Sequence, residues 1–345
     1  MRSSRGRLAV GLLSVAVFSA LFGAALVTAP PAQALQISPI YDSSVSSRSD
    51  FTQIKSAFNQ AGDAWSNVLS DNVTINIRVS WGSVGSYILN NGTLGGSLDS
   101  LYGYFTYSQI KSWLKNDAST ADDKTANQNL PLVSSVAGNK FVLSSAQAKA
   151  LGLVSNYNSA FAYDGYIGFG NGVKYDYDRS NGIAAGYFDF VGLVEHEIDH
   201  VLGHFSGLGD GYATPFDLFR CSNGAPSFTS GASSFSIDGC KTNLANFNST
   251  GSGDRDDWAS SPTSTDIQGA YLYPGVLYGI SAADITALDV IGWGAKKSSS
   301  LSLGLAGSLG SLGRAEVANV PEPSTLALLA VGSLGLWLLG RRRPA

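Results

Sequence analysis

The chain is poor in charged residues and has no excess of basic ones. Only 14% of its 345 residues are charged, with 22 Lys and Arg against 26 Asp and Glu. Domains that bind nucleic acids carry a basic patch, so this balance argues against a nucleic-acid partner. With 44% hydrophobic residues the chain can bury a large core, and its many Gly, Ser, Asn and Tyr residues indicate a loop-rich, weakly charged surface.

Cysteine is equally scarce. Cys221 and Cys240 are the only two cysteines, and neither has the C-x-x-C neighbour that would favour a thiol metal site. Three early arginines, an apolar stretch from Leu8 to Val27 and an A-Q-A cleavage site predict a signal peptide over residues 1–34, to be removed by signal peptidase. Because export leads to an oxidising compartment, we expect the two cysteines to form a disulfide.

The C-terminal segment has three parts in order. V-P-E-P-S at 320–324 is followed by an apolar run from Leu326 to Leu339 and by arginines at 341–343. A helix over residues 325–340 would be roughly 24 Å long, which is short for a bilayer but adequate with Arg side chains reaching to the interface, and the arginines would lie on the cytoplasmic side. This order resembles the PEP-CTERM sorting signal of Gram-negative bacteria, which an exosortase recognises and cuts; a plain membrane anchor is the alternative. The resemblance implies export to the periplasm, cell surface or extracellular matrix, with transient anchoring by this helix.

The region between the two signals predicts one α+β domain over residues 35–295, followed by a Ser/Gly-rich linker at 296–319. Helices and strands occur there without regular alternation. The residue spacing predicts helices at Asp50–Leu69, Tyr107–Asn116 and Ser144–Ala150, and strands at Val73–Trp81, Tyr166–Phe169 and Val173–Tyr177. A further helix is expected between Asp189, a suitable N-cap, and Gly203, a natural stop.

That last helix carries the residues with the clearest chemistry. All three histidines and two of the four glutamates fall in residues 195–204, E-H-E-I-D-H-V-L-G-H. His196 and His200 lie one turn apart on a helix, so their nitrogens can bind a single Zn²⁺. Glu197, in the H-E-x-x-H arrangement, can act as general base and acid on an attacking water. A purely structural zinc site would not need a glutamate at this position.

The third zinc ligand stays open between two residues. His204 lies about 12 Å beyond His196 along a straight helix, so it can bind only if the chain turns sharply at Gly203. Asp210 follows the flexible S-G-L-G segment and can fold back to offer an oxygen ligand. We favour Asp210 and keep His204 as the alternative. If it is not a ligand, His204 orients another ligand, faces the substrate or packs in the core.

Six segments resemble a family of zinc metallopeptidases found among exported PEP-CTERM proteins. They are D-Y-D-R-S-N-G at 176–182, H-E-I-D-H-V-L-G at 196–203, S-G-L-G-D at 206–210, T-P-F-D-L-F-R at 214–220, F-S-I-D-G-C-K-T at 235–242 and I-T-A-L-D-V-I-G-W at 285–293. The resemblance covers residues 163–293 and implies a zincin or metzincin-like domain with a mixed sheet, an active-site helix and a loop-rich C-terminal subdomain.

The chain also departs from the ordinary metzincin pattern. Ser206 stands where a metzincin has its third histidine, and Met1 is the only methionine, so a Met-turn is missing. Within the resembling family an aspartate near position 210 is usual, which supports Asp210. His204 is a departure from that family, because the residue after the motif's glycine is usually apolar.

The resemblance and the motif together predict an exported zinc endopeptidase that acts on a protein or peptide substrate. The alternatives are a surface or exopolysaccharide-associated structural or adhesive protein with an inactive zinc site, and an amidohydrolase acting on cell-wall peptides. We interpret residues 176–182 as a hydrogen-bonded turn and residues 253–258 as an exposed acidic loop, with structural calcium as the alternative for both. Arg220 is expected to pair with Asp217 rather than to face the substrate.

Overall fold

A computed structural model describes five stretches of the chain: residues 35–131, 139–155, 162–229, 231–251 and 253–296. The predicted signal peptide, the linker from residue 297 onward and the sorting tail lie outside the described residues. Within them, no helix combines the length and apolar character that crossing a membrane requires.

Strands and helices follow one another irregularly along the described residues. In chain order they are β1 (Gln36–Tyr41), α1 (Ser43–Ser46), α2 (Phe51–Val68), β2 (Thr74–Trp81), β3 (Ser83–Val84), β4 (Tyr87–Ile88), β5 (Gly95–Asp99), β6 (Leu101–Phe105), α3 (Tyr107–Asp117), α4 (Ala121–Asn129), β7 (Phe141–Ser144), α5 (Ser145–Ala150), β8 (Gly165–Phe169), β9 (Tyr175–Asp176), β10 (Phe188–Asp189), α6 (Phe190–Leu202), β11 (Arg220–Ser222), β12 (Ala225–Pro226), β13 (Ser234–Phe235), β14 (Ala245–Asn246) and α7 (Ala282–Asp289). The mixed α+β class predicted from sequence is confirmed.

The main sheet has four strands in the order β1-β2-β8-β5. The first three strands are parallel, and β5 pairs antiparallel with β8 at the edge. Ile75, Ile77 and Val79 alternate along β2 and are fully buried, as their spacing predicted. Because β5 contacts α6 extensively, the edge strand lies beside the helix that carries the histidines.

Helix α2 packs against helix α6 in the core. Ile54, Phe58, Ala61 and Trp65 recur at helical spacing and are all buried. The indole of Trp65 donates a hydrogen bond to the carbonyl of Glu195 at 3.0 Å, which fixes α2 against α6 deep in the core. The sequence prediction of this helix is confirmed to within a residue at each end.

The C-terminal part consists of long loops around a small sheet of β12-β11-β13-β14. Cys221 and Cys240 form the expected disulfide, with Cα atoms 5.6 Å apart. Helix α7 closes the fold, and Trp293 beyond it donates from its indole to the carbonyl of Leu202 at 2.8 Å. The end of the described chain is therefore held against the C-terminus of α6.

Two local predictions differ from the structure. The strand expected over Val173–Tyr177 is only Tyr175–Asp176, because its partner β10 offers two residues for pairing. Helix α4 was not predicted, since its sequence A-D-D-K-T-A-N-Q-N has little apolar periodicity. A capping box between Thr120 and Asp123 starts it instead.

Candidate metal centre

Helix α6 holds the motif residues in a fixed setting. Asp189 caps the helix by accepting from the backbone of Gly192 at 3.0 Å, and Gly203 ends it with φ of 125°, a backbone conformation that favours glycine. Both ends match the sequence prediction. Every residue of α6 is buried, so its side chains have little freedom to move.

Glu195, the first glutamate of the segment, binds Arg179 and not the histidines. Its carboxylate accepts from Arg179 at 3.0 Å, and the same guanidinium donates to Asp189 at 2.8 Å. Arg179 belongs to the D-Y-D-R-S-N-G segment, whose Asp176 accepts from the backbone of Asp178 and Ala184 at 3.1 and 2.9 Å. These contacts confirm the interpretation of that segment as a hydrogen-bonded turn leading into the helix.

His196, His200 and Asp257 converge on one point. The two Nε2 atoms are 3.1 Å apart, and Nε2 of His200 lies 3.2 Å from Oδ1 of Asp257. Neighbouring ligands of a tetrahedral zinc ion, each about 2.0 to 2.1 Å from the metal, are separated by about 3.3 Å. Two of the three separations are therefore close to the spacing of zinc ligands, all three atoms lie within 4.8 Å of one another, and the group could hold a metal ion.

Hydrogen bonds at Nδ1 determine which nitrogen of each of these two histidine rings carries the proton. Nδ1 of His196 lies 2.7 Å from the carbonyl oxygen of Ile267, and Nδ1 of His200 lies 2.6 Å from that of His204. A carbonyl only accepts, so each Nδ1 carries a proton and each neutral ring presents the Nε2 lone pair to the group. Two such lone pairs and a carboxylate facing one another are a set of donors that a metal cation between them would stabilise.

The structure brings a different carboxylate to the histidines, so Asp210 as the third ligand stays a prediction without geometric support. Asp210 lies outside the convergent group; it is partly exposed at the end of a turn, where its backbone donates to Gly207 at 3.1 Å. Asp257 is the carboxylate that lies in the group with the two histidines. The alternative, His204, is fully buried but also lies outside the group: the chain does turn at Gly203, yet the ring nitrogens of His204 face the carbonyl of Asp256 and the carboxyl group of Asp199.

Asp257 was hidden in the segment that we interpreted from sequence as an exposed acidic loop. That interpretation is wrong for Asp256 and Asp257, which are 4% and 0% exposed. No spacing links Asp257 to the motif, since it follows His200 by more than fifty residues. The aromatic residue directly after it, Trp258, was the one local sign that the loop turns inward, and it is 3% exposed.

Four successive carbonyl groups hold the segment that presents Asp257. The carbonyl of Asp254 accepts from the side chain of Asn248 at 2.9 Å, and that of Asp257 accepts from the backbone of Asn248 at 2.8 Å. Between them, the carbonyl of Arg255 accepts from Arg220 at 3.0 Å. The carbonyl of Asp256 lies 3.1 Å from Nε2 of His204. The backbone on either side of the carboxylate is thus fixed before any ligand binds.

His204 forms hydrogen bonds with two parts of the metal group, the ring of His200 and the backbone before Asp257. Its carbonyl orients His200, and its ring donates to the peptide that precedes Asp257. Burial lowers the pKa of His204 to about 3, so the ring is neutral and Nε2 carries its proton. Asp199 lies 3.0 Å from the other ring nitrogen, and burial raises its pKa well above the ordinary value.

Arg220 has the structural role that the sequence suggested. Its guanidinium lies 4.0 Å from Asp217 and 3.6 Å from the centre of the Phe247 ring. Asp217 in turn accepts from the backbone of Gly207 and Thr214 at 3.1 and 2.8 Å. The pair therefore shapes the S-G-L-G-D loop and, through the bond to residue 255, the loop that carries Asp257.

Glu197 and Asp99 are two further carboxyl groups near the histidines. A side chain at Gly95 would place its Cβ 2.6 Å from Oε1 of Glu197, so β5 lies directly against this glutamate. Asp99 ends the same strand and is 3% exposed. Burial raises the pKa of Asp99 to about 8, with nearby His200 opposing the shift.

The candidate centre is enclosed. His196, Glu197 and Asp257 are 0% exposed, and His200 is 5% exposed. A surface cavity of about 480 Å³ lies elsewhere, between α2 and the turn before α6, and its lining includes Gln53, Gln60, Tyr175 and Tyr187 but no member of the metal group. The candidate metal centre is therefore indicated by the converging side-chain atoms and not by this cavity.

Comparison with known proteins identifies only the tail. The PEP-CTERM protein-sorting motif matches residues 319–343. The motif implies an exported protein that is processed by an exosortase and reaches the cell surface, which confirms that part of the sequence prediction. No curated protein and no solved structure matches the chain. The metallopeptidase resemblance therefore has no support from known proteins, and the function of the main domain has to be argued from its geometry.

Proposed function

We propose that the chain is an exported zinc-dependent endopeptidase whose metal ligands are His196, His200 and Asp257. The observation that carries this proposal is the convergence of the three ligand atoms, with both imidazoles fixed as Nε2 acceptors by backbone carbonyls. Two nitrogens and one carboxylate oxygen are a donor set that suits zinc, and three protein ligands leave a fourth position for water or substrate, as in catalytic zinc sites. Bound zinc would polarise a peptide carbonyl and lower the pKa of water toward neutrality.

Glu197 has the role of general base and acid in this proposal. It follows His196 directly on α6 and lies outside the group of three ligand atoms. A buried carboxylate beside the metal can take a proton from the attacking water and deliver it to the leaving amine. Glu195 is unsuited to this role because Arg179 already binds its carboxylate.

The experiment compares the same substitution at two positions of one helix. The full chain is purified in mild detergent as wild type, Glu197→Gln and Glu195→Gln. Zinc content, melting temperature and cleavage of unfolded casein are measured for each protein. We expect cleavage by wild type and Glu195→Gln, inhibition by a chelator, and a loss of at least about 100-fold in Glu197→Gln with zinc retained, the range that general acid–base catalysis supplies. Cleavage that survives in Glu197→Gln would refute the proposed mechanism.

A second function, a structural zinc site in a surface protein, is favoured by one observation. The residues of the centre are almost completely buried, which is more typical of metals that stabilise folds than of metals that meet large substrates. Bound zinc in wild type with no cleavage of casein or of short peptides, together with unfolding on chelation, would establish this second function.

A further inference from the structure

Gln268 is a buried side chain that the proposed mechanism does not use. It is 0% exposed, and neither its Oε1 nor its Nε2 has a hydrogen-bond partner among the residues that the structure describes. Burying a carboxamide without partners is unfavourable, and folded proteins nearly always avoid it. An apolar side chain of similar size would fill this position without that penalty. The glutamine therefore needs an explanation outside packing.

The backbone places Gln268 beside the metal group. The preceding residue, Ile267, accepts the Nδ1 proton of His196 at 2.7 Å. The backbone of Trp258 donates to the carbonyl of Gln268 at 2.7 Å, within a parallel bridge that pairs Trp258 with Gly269. In that register Asp257 and Gln268 stand next to each other, one residue before the bridge on each segment.

The register also indicates the direction of the side chain. Paired residues of parallel strands project to the same side, and successive residues alternate. Trp258 projects away from the metal group, donating from its indole to Asp284 at 2.7 Å. Asp257, on the opposite side, faces His200 at 3.2 Å. Gln268 shares the side of Asp257, next to the segment that holds His196.

We infer that Gln268 binds the oxygen of a ligand at the metal group, with its Nε2 donating to a carbonyl, hydroxamate or carboxylate oxygen held there. The inference rests on the metal centre of the proposed function and adds a substrate-contacting residue to it. A bound oxygen supplies the partner that the carboxamide lacks. In an endopeptidase that oxygen belongs to the scissile carbonyl, whose developing negative charge a preorganised donor stabilises.

The test uses the full chain loaded with Co²⁺, a coloured substitute for zinc, and acetohydroxamate as the oxygen ligand. Wild type, Gln268→Met and Gln268→Leu are titrated first with Co²⁺ and then with acetohydroxamate, following the visible spectrum. We expect Co²⁺ affinity to change less than about threefold, while acetohydroxamate binds about tenfold more weakly or worse in both variants, the effect of one hydrogen bond to a charged group.

A second readout separates this role from a structural one. Because the carboxamide has no partner, metal-free Gln268→Met should unfold at the same or a higher temperature than wild type. A melting temperature clearly below that of wild type in both variants would show that the glutamine is structural. Unchanged acetohydroxamate affinity would likewise overturn the inference.

The remaining outcomes separate the inference from the proposed function. If the variants weaken acetohydroxamate binding but wild type cleaves no peptide, the inference stands and the peptidase proposal fails. If wild type does not bind Co²⁺, the metal centre and the inference fail together. A matched control, Gln147→Leu, alters a buried glutamine whose Oε1 accepts from Ser144 at 3.1 Å, and it should lower stability without changing acetohydroxamate affinity.

Discussion

Replacing Asp257 by alanine should remove most of the stability that zinc gives to the folded chain. Asp257 supplies one of the three converging ligand atoms, and its Oδ1 lies 3.2 Å from Nε2 of His200. Its backbone is held by contacts that do not involve its side chain, including the bond from Asn248 to its carbonyl at 2.8 Å. The substitution therefore deletes the ligand and leaves the loop in place.

The size of the effect follows from linkage between binding and folding. Free zinc at a thousand times its dissociation constant stabilises the folded state by about 4.1 kcal/mol. Groups that only orient metal ligands account for about 10 to 100-fold in affinity, so losing a ligand should cost at least about 100-fold. At the same free zinc concentration the stabilisation then falls to about 1.4 kcal/mol. For a domain of this size the loss corresponds to a zinc-induced melting shift smaller by about 5 to 10 °C.

The assay measures the melting temperature of the full chain with buffered zinc and with chelator, alongside competition for zinc with a coloured chelator. Asp210→Ala is the matched control, because Asp210 is partly exposed and lies outside the group. We expect wild-type behaviour from Asp210→Ala and a reduced zinc shift in Asp257→Ala. The opposite result would restore Asp210 as the third ligand and refute the geometric argument.

Three more perturbations test other parts of the structure. Gly95→Ala places a Cβ 2.6 Å from Oε1 of Glu197, so we expect it to displace this carboxylate and abolish peptide cleavage while zinc content is retained. Burial raises the pKa of Asp71 to about 6, so its protonated form favours folding; the stability of wild type relative to Asp71→Asn should rise as pH falls from about 7 to 4, measured by urea unfolding. Reducing the bond between Cys221 and Cys240, separated by 19 residues, should lower the free energy of unfolding by about 3 kcal/mol on the chain-entropy model.

The first two of these perturbations have a control. Gly279→Ala adds a methyl group where no atom lies within 4 Å, and it should leave cleavage unchanged. For Asp71, the carboxamide of the variant can still accept from the backbone of Gly294, which the carboxylate contacts at 2.8 Å, so the comparison isolates the charge. A stability difference that does not vary with pH would contradict the burial argument. Equal unfolding of the oxidised and reduced chain in urea would contradict the disulfide prediction.

Local chemistry explains which parts of the fold were predictable. Helix α2 and strand β2 have strong apolar periodicities, and Asp189 and Gly203 are strong signals for the ends of α6, so each was placed to within a residue or two. The disulfide followed from export and from the presence of two cysteines alone. In contrast, α4 has little apolar periodicity and only the capping box of Thr120 and Asp123 as a local signal, and the length of β9 depends on how many residues its partner offers.

The sequence by itself determined that two candidate ligands and the neighbouring glutamate lie close together, because a helix of 3.6 residues per turn places His196 and His200 on one face whatever surrounds it. The position of the third candidate ligand, Asp257, depended on long-range contacts. Residues far apart in sequence, among them Arg220 and His204, hold the carbonyls of the loop that turns Asp257 toward the histidines. Helical spacing is a property of neighbouring residues, whereas the position of Asp257 results from hydrogen bonds that exist only once the whole domain has folded.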